Sequence, residues 1–102
     1  MRVLRYAKPA RQDLIEIAQF ITRDGEGIGV ARDFIRKLRD RCERIASLPA
    51  LLGTARPDLG ETIRSTPHRG YIIFFRYTDD AVEIINILHA SRDVIAYFVD
   101  ED

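Results

Sequence analysis

In the first half of the chain apolar residues recur at steps of three and four. Beyond about residue 60 the period shortens to two. Ala10, Leu14, Ile17, Ala18 and Ile21 line one side of a helix predicted over Pro9–Asp24, with Arg11, Glu16, Gln19 and Arg23 elsewhere on it. Gly25, Gly27 and Gly29 break the pattern. It resumes as a second helix over Ile28–Ser47, with Ala31, Phe34, Ile35, Leu38, Cys42 and Ile45 in a stripe. Leu48-Pro49 ends that helix, because the residue before proline is pushed out of the helical region. The short glycine-rich link makes the pair an antiparallel hairpin.

A strand over Arg2–Ala7 precedes the helices, and Lys8-Pro9 closes it, since proline donates no ladder bond and suits a first helical turn. Residues 50–61 contain Gly53, Pro57 and Gly60 and little periodicity, the signature of a surface loop. Thr62–Thr66, Tyr71–Tyr77 and Val82–Leu88 follow as strands of an antiparallel meander, with Asp79-Asp80 as the last hairpin turn. The expected class is α+β, strand-helix-helix-strand-strand-strand, with the helical hairpin packed on one face of a twisted antiparallel sheet and a short C-terminal segment after it. Both alternating sets of Tyr71–Tyr77 are apolar, so both sides of that strand ask for cover. Two helices cover one, which leaves Ile72 and Phe74 on a face open to a partner.

Composition narrows the classes. A chain of 102 residues is expected to form one domain, 1–102, around one core. Sixteen basic and sixteen acidic residues cancel, which gives no overall reason to condense on nucleic acid; no direct specific binding to it is expected. The apolar run Tyr71–Phe75 is far short of the roughly 20 residues a membrane span needs, and the first residues lack a signal-peptide core. No membrane association and a cytoplasmic location are therefore expected. One cysteine and two histidines offer no internal disulfide and no structural zinc set, so neither metal nor cofactor is expected. Cys42 reads as a small apolar helix residue.

Five pieces in order, residues 10–17 (ARQDLIEI), Leu48-Pro49, Ile63-Arg64, residues 70–77 (GYIIFFRY) and residues 87–93 (ILHASRD), resemble the RelE/ParE superfamily of bacterial toxins. The Leu-His-x-x-Arg-Asp ending resembles its ParE branch. The resemblance spans nearly the whole chain. It implies a toxin of a type II toxin–antitoxin system, held inactive in a hetero-oligomer by a ParD-like antitoxin, with DNA gyrase as the target. The RelE branch implies instead a ribosome-dependent mRNA endonuclease.

The nuclease chemistry needs groups that take a proton from a ribose hydroxyl and stabilise a crowded phosphate. Relatives resembling RelE place lysines just before the strand that holds Arg64. Here that stretch is Asp58-Leu59-Gly60-Glu61-Thr62, and the only lysines are Lys8 and Lys37. An alternative nuclease set is Glu61, Arg64, Arg76, His89 and Tyr97. In the binding reading no residue is catalytic. Ile72, Phe74, Arg76 and Asn86 are then the candidates for the antitoxin face, and Arg64, Arg92, Tyr97 and Phe98 those for the target. Arg64 and Arg76, costly to bury unpaired, either find partners at the sheet edge or share a polar patch on the open face. A degenerate relative that binds antitoxin without being toxic is the third reading.

Overall fold

The computed structural model describes residues 2–94 and 98. The element order is β1 (Val3–Tyr6), α1 (Lys8–Ile21), a wide π turn (Thr22–Glu26), α2 (Ile28–Ser47), β2 (Thr54–Ala55), β3 (Arg64–His68), β4 (Tyr71–Tyr77) and β5 (Ala81–His89). Both helices fall where the three-and-four spacing puts them. Gly25 and Gly27 take positive φ, 84° and 88°, which lets the chain reverse between them. Leu48 is already extended before Pro49.

The sheet has five strands in the order β1-β5-β4-β3-β2. It is mixed: β1 lies parallel to β5, with Val3 opposite Ala81 and Tyr6 opposite Ile84, and all other pairs are antiparallel. Alternation marked β1 as a strand but held no information about its partner. Thr78 N–H donates to Ala81 O (2.8 Å), closing the expected turn at Asp79-Asp80. A second two-residue turn, Arg69-Gly70, joins β3 to β4 with φ of 49° and 87°. β3 lies two residues later than expected and includes Pro67, whose missing N–H is tolerated because β2 pairs only with Arg64 and Ser65. The loop between α2 and β3 contains β2, and Gly53 in it has φ 73°. A Cβ there would stand 2.7 Å from Ser65 O and 2.8 Å from the Phe75 ring.

The core sits between the helices and the sheet. Leu14, Ile17, Leu38, Cys42 and Ile45 meet Ile73, Phe75, Val82, Ile84 and Ile87 there, all nearly or wholly buried. A register shift between Phe74 and Phe75 places Ile85 as the extra residue of β5, since Phe75 faces Ile84 and Phe74 faces Asn86. Cys42 lies against Tyr6, and burial pushes its thiol up to about 11, so it stays a protonated packing group. No described helix is long and apolar enough to cross a membrane.

Candidate functional site

The sheet face away from the helices is not bare. Phe74 is fully buried: the Phe98 ring packs edge-on at 5.3 Å between centroids, and the Arg56 guanidinium lies 5.8 Å from its centroid. Arg56 is held there by Asp58 (Nε–Oδ1 3.2 Å, Nη2–Oδ2 3.0 Å) and reaches Ser65 Oγ at 3.4 Å. The same bonding holds the exposed Asp58 carboxyl below its ordinary range. The expectation of an open Ile72/Phe74 patch is therefore corrected at Phe74, which a residue from beyond β5 covers. Val94 and Phe98 are both helical. Of the four residues assigned to that patch, Ile72 is half-buried and Arg76 exposed, while Asn86 is buried and donates to Asp13 Oδ2 on α1 (3.1 Å).

Arg64 and Arg76 do not share a patch either. Arg64 is opposite Phe75, on the helix side of the sheet; Arg76, the next residue along β4, points to the other side. Arg64 donates from Nε to Leu52 O (2.8 Å) and from Nη2 to Gly53 O (2.9 Å), pinning the loop before β2. Arg76 forms an ion pair with Glu83 (Nη2–Oε1 2.6 Å, Nε–Oε1 2.8 Å) directly across on β5. Glu61 is exposed in the turn before β3, and Tyr97 lies outside the described residues. His89 sits at the far end of β5, opposite Tyr71. Arg64, Arg76 and His89 thus occupy two faces and separate regions of the sheet, with no common point for a phosphate.

The Leu-His-x-x-Arg-Asp ending forms a feature of its own. Arg92 N–H bonds to His89 O (3.0 Å), and Ser91 N–H bonds to His89 Nδ1 (3.2 Å) with Ser91 Oγ 2.7 Å from the same nitrogen. That turn faces α1 across a cleft of about 260 Å³ lined by Asp13, Glu16, Phe20, Arg23, His89 and Arg92. One oxygen of Asp13, Oδ2, accepts both from Asn86 and from the Ile87 N–H (2.9 Å). Burial nonetheless holds its carboxyl above the ordinary 3.8, against the lowering effect of these bonds. Phe20 is 56% exposed at the cleft's rim.

Sequence reasoning missed the aromatic chain behind this cleft. His89 packs on Tyr71 (5.3 Å), Tyr71 on Phe34 (5.6 Å) and Phe34 on His68 (6.3 Å), tying β5, β4, α2 and β3 together. No spacing along the chain could have found it, because its members come from four elements.

On the outer side of the hairpin, Ala18 and Thr22 of the first helical stretch and Ile28, Ala31 and Ile35 of α2 line an apolar groove of about 730 Å³. Arg23 and Arg32 also line it. Ile28, at one end of this groove, is 60% exposed. Among the described residues, no group of His, Cys, Asp and Glu side chains has the makings of a metal site.

Residues 4–94 match the family model described as the ParE toxin of type II toxin-antitoxin system, parDE. Among solved structures, a chain described as "Chromosomal ParDE TA system from P. aeruginosa" superposes with a TM-score of 0.72 at 18% identity, covering 87% of this chain and 96% of that one. At that identity the likeness extends to the fold. No curated relative matches the sequence.

Proposed function

Because the chain belongs to the ParE toxin family of type II toxin–antitoxin systems, we propose that it acts by gripping DNA gyrase, without catalysis of its own, and is held inactive by a ParD-like antitoxin. One observation carries this reading over the nuclease alternative. The two arginines of the nuclease set are committed elsewhere, Arg64 to loop carbonyls and Arg76 to Glu83. General acid–base work needs such groups within hydrogen-bond reach of one reacting atom.

The antitoxin seat proposed here is the hairpin groove. Its floor is apolar and its flanks carry Arg23 and Arg32, which suits an amphipathic helix with acidic flanks. The surface offered to gyrase is the cleft at the end of β5, which Arg92 and the exposed Phe20 ring both line. An arginine beside an exposed aromatic is the composition of an interface anchor.

Purified toxin incubated with gyrase and relaxed plasmid should block supercoiling or accumulate cleaved DNA, and added antitoxin should restore normal supercoiling. Arg92→Ala and Phe20→Ala should each weaken inhibition at least tenfold while the folded protein still binds antitoxin. Ile28→Asp should do the reverse, sparing inhibition and losing the antitoxin. Undisturbed supercoiling at a large excess of toxin would remove the gyrase reading, and ribosome-dependent mRNA cleavage lost on Arg76→Ala would install the nuclease in its place.

A further inference from the structure

The whole chain is electrically neutral, but its charge is segregated. α2 alone carries Arg32, Arg36, Lys37, Arg39, Arg41 and Arg44 against Asp33, Asp40 and Glu43. Part of this is a surface ladder: Arg36 pairs with Asp33 and Asp40, and Lys37 with Asp33. Arg41 and Arg44 lie outside that ladder and, among the described residues, have no carboxylate partner; the same holds for Arg69 at the β3–β4 turn.

These arginines face one another. A cleft of about 720 Å³ runs between the second half of α2 and the β3–β4 turn, with Lys37, Arg41, Arg44, His68 and Arg69 among its lining residues. Asp40 and Glu43 also line it, but Asp40 is turned to Arg36 at 3.7 Å. Arg41 is anchored to β3 by a bond from Nη2 to Thr66 Oγ1 (3.2 Å), which orients its remaining donors. Lys37, Arg41 and Arg44 follow the helical i, i+4, i+7 pattern and so form one row about 10 Å long. A row of cations of that length can reach neighbouring phosphates of one DNA strand. At the wall, His68 Nε2 is buried and, among the described residues, has no hydrogen-bond partner. Burial, Arg69 and Arg41 together hold its ring toward the neutral form, as a concentration of positive potential requires.

We infer that this cleft binds the phosphodiester backbone of duplex DNA, independently of base sequence, through Arg41, Arg44 and Arg69. The choice of DNA among polyanions rests on the gyrase reading, since duplex DNA is the substrate that enzyme handles. The toxin would then touch enzyme and DNA at once, with the β5-end cleft on the protein and the α2 cleft on the nucleic acid. Overall neutrality keeps the contact weak when the toxin is alone.

The test is fluorescence anisotropy of a labelled 20-base-pair duplex titrated with the full toxin at several salt concentrations, with Arg44→Gln/Arg69→Gln beside the parent. Both residues are exposed, and circular dichroism checks that the variant folds. The parent should bind with a log–log salt slope that the double variant lowers by roughly 2, with roughly tenfold or greater loss of affinity at low salt. DNA should also move the His68 imidazole resonances and raise its apparent titration midpoint in the parent. Equal binding by parent and variant, or equal displacement of DNA by poly-glutamate of matching charge, overturns the inference. Stronger binding to an RNA of the same length also overturns it. The gyrase assay stays separate: a parent that binds DNA through these arginines but leaves supercoiling untouched removes the gyrase reading alone, whereas one that blocks supercoiling with no DNA binding removes this inference alone.

Discussion

The two faces of the sheet are sealed by different means. On the helix side Ile73, Phe75, Val82, Ile84 and Ile87 meet stripes of aliphatic side chains from α1 and α2, and every partner belongs to an element with its own apolar period. On the other side, among the described residues, Phe74 is closed by one ring, Phe98, and one guanidinium, Arg56, and the neighbouring Arg76–Glu83 pair stays half in water. The first seal is area-driven and redundant. The second is made of a few contacts, some of them polar, and any one of them is a large part of it. Dense aliphatic cores lose several kcal/mol per truncated residue, while aromatic and cation–π contacts at a margin contribute on the order of 1 kcal/mol each.

Phe75→Ala should therefore be the most damaging change, costing about 3–5 kcal/mol in urea unfolding. Phe98→Ala should cost about 1–2 kcal/mol, although the ring it uncovers is as buried as Phe75. Equal losses would mean that both faces are core of one kind and would break the contrast. Asp13→Asn is expected to act through pH, because burial raises this carboxyl in the folded state. A raised folded value favours the protonated form, so Asp13 contributes its stability at low pH and loses it as pH rises through that value. Asparagine keeps an acceptor for Asn86 and Ile87 without ionising. The variant should gain on the parent in urea midpoint from about pH 3 to pH 7, and a gain in the opposite direction would refute the assignment. Arg76→Ala should be the mildest, within about 1 kcal/mol, because the pair is solvent-screened and its loss should shrink in high salt.

The helices, the α+β class, the late hairpin at Asp79-Asp80 and most of the core were legible from the chain, because helix and strand periods and turn chemistry act between residues close in sequence. The family motifs were legible for a related reason: each is a local run. The candidate site was legible only in part. His89 and Arg92 were singled out, but their facing residues are about seventy residues away: Asp13 and Glu16 were read only as part of the first helix and its 10–17 motif, and Phe20 not at all. The arginine cleft was concealed by a net charge of zero, since summing over the chain discards which charges share a surface.

Amino-acid order alone determined the two helices, the sides of them that turn inward and most of the strands, since those follow from the backbone's two short repeats. The parallel docking of β1 on β5, the closing of Phe74 under Phe98, and the meeting of Arg41 and Arg44 with Arg69 belong to the tertiary structure. Each depends on bringing together residues distant along the chain, a choice made by total burial and electrostatics over the folded molecule.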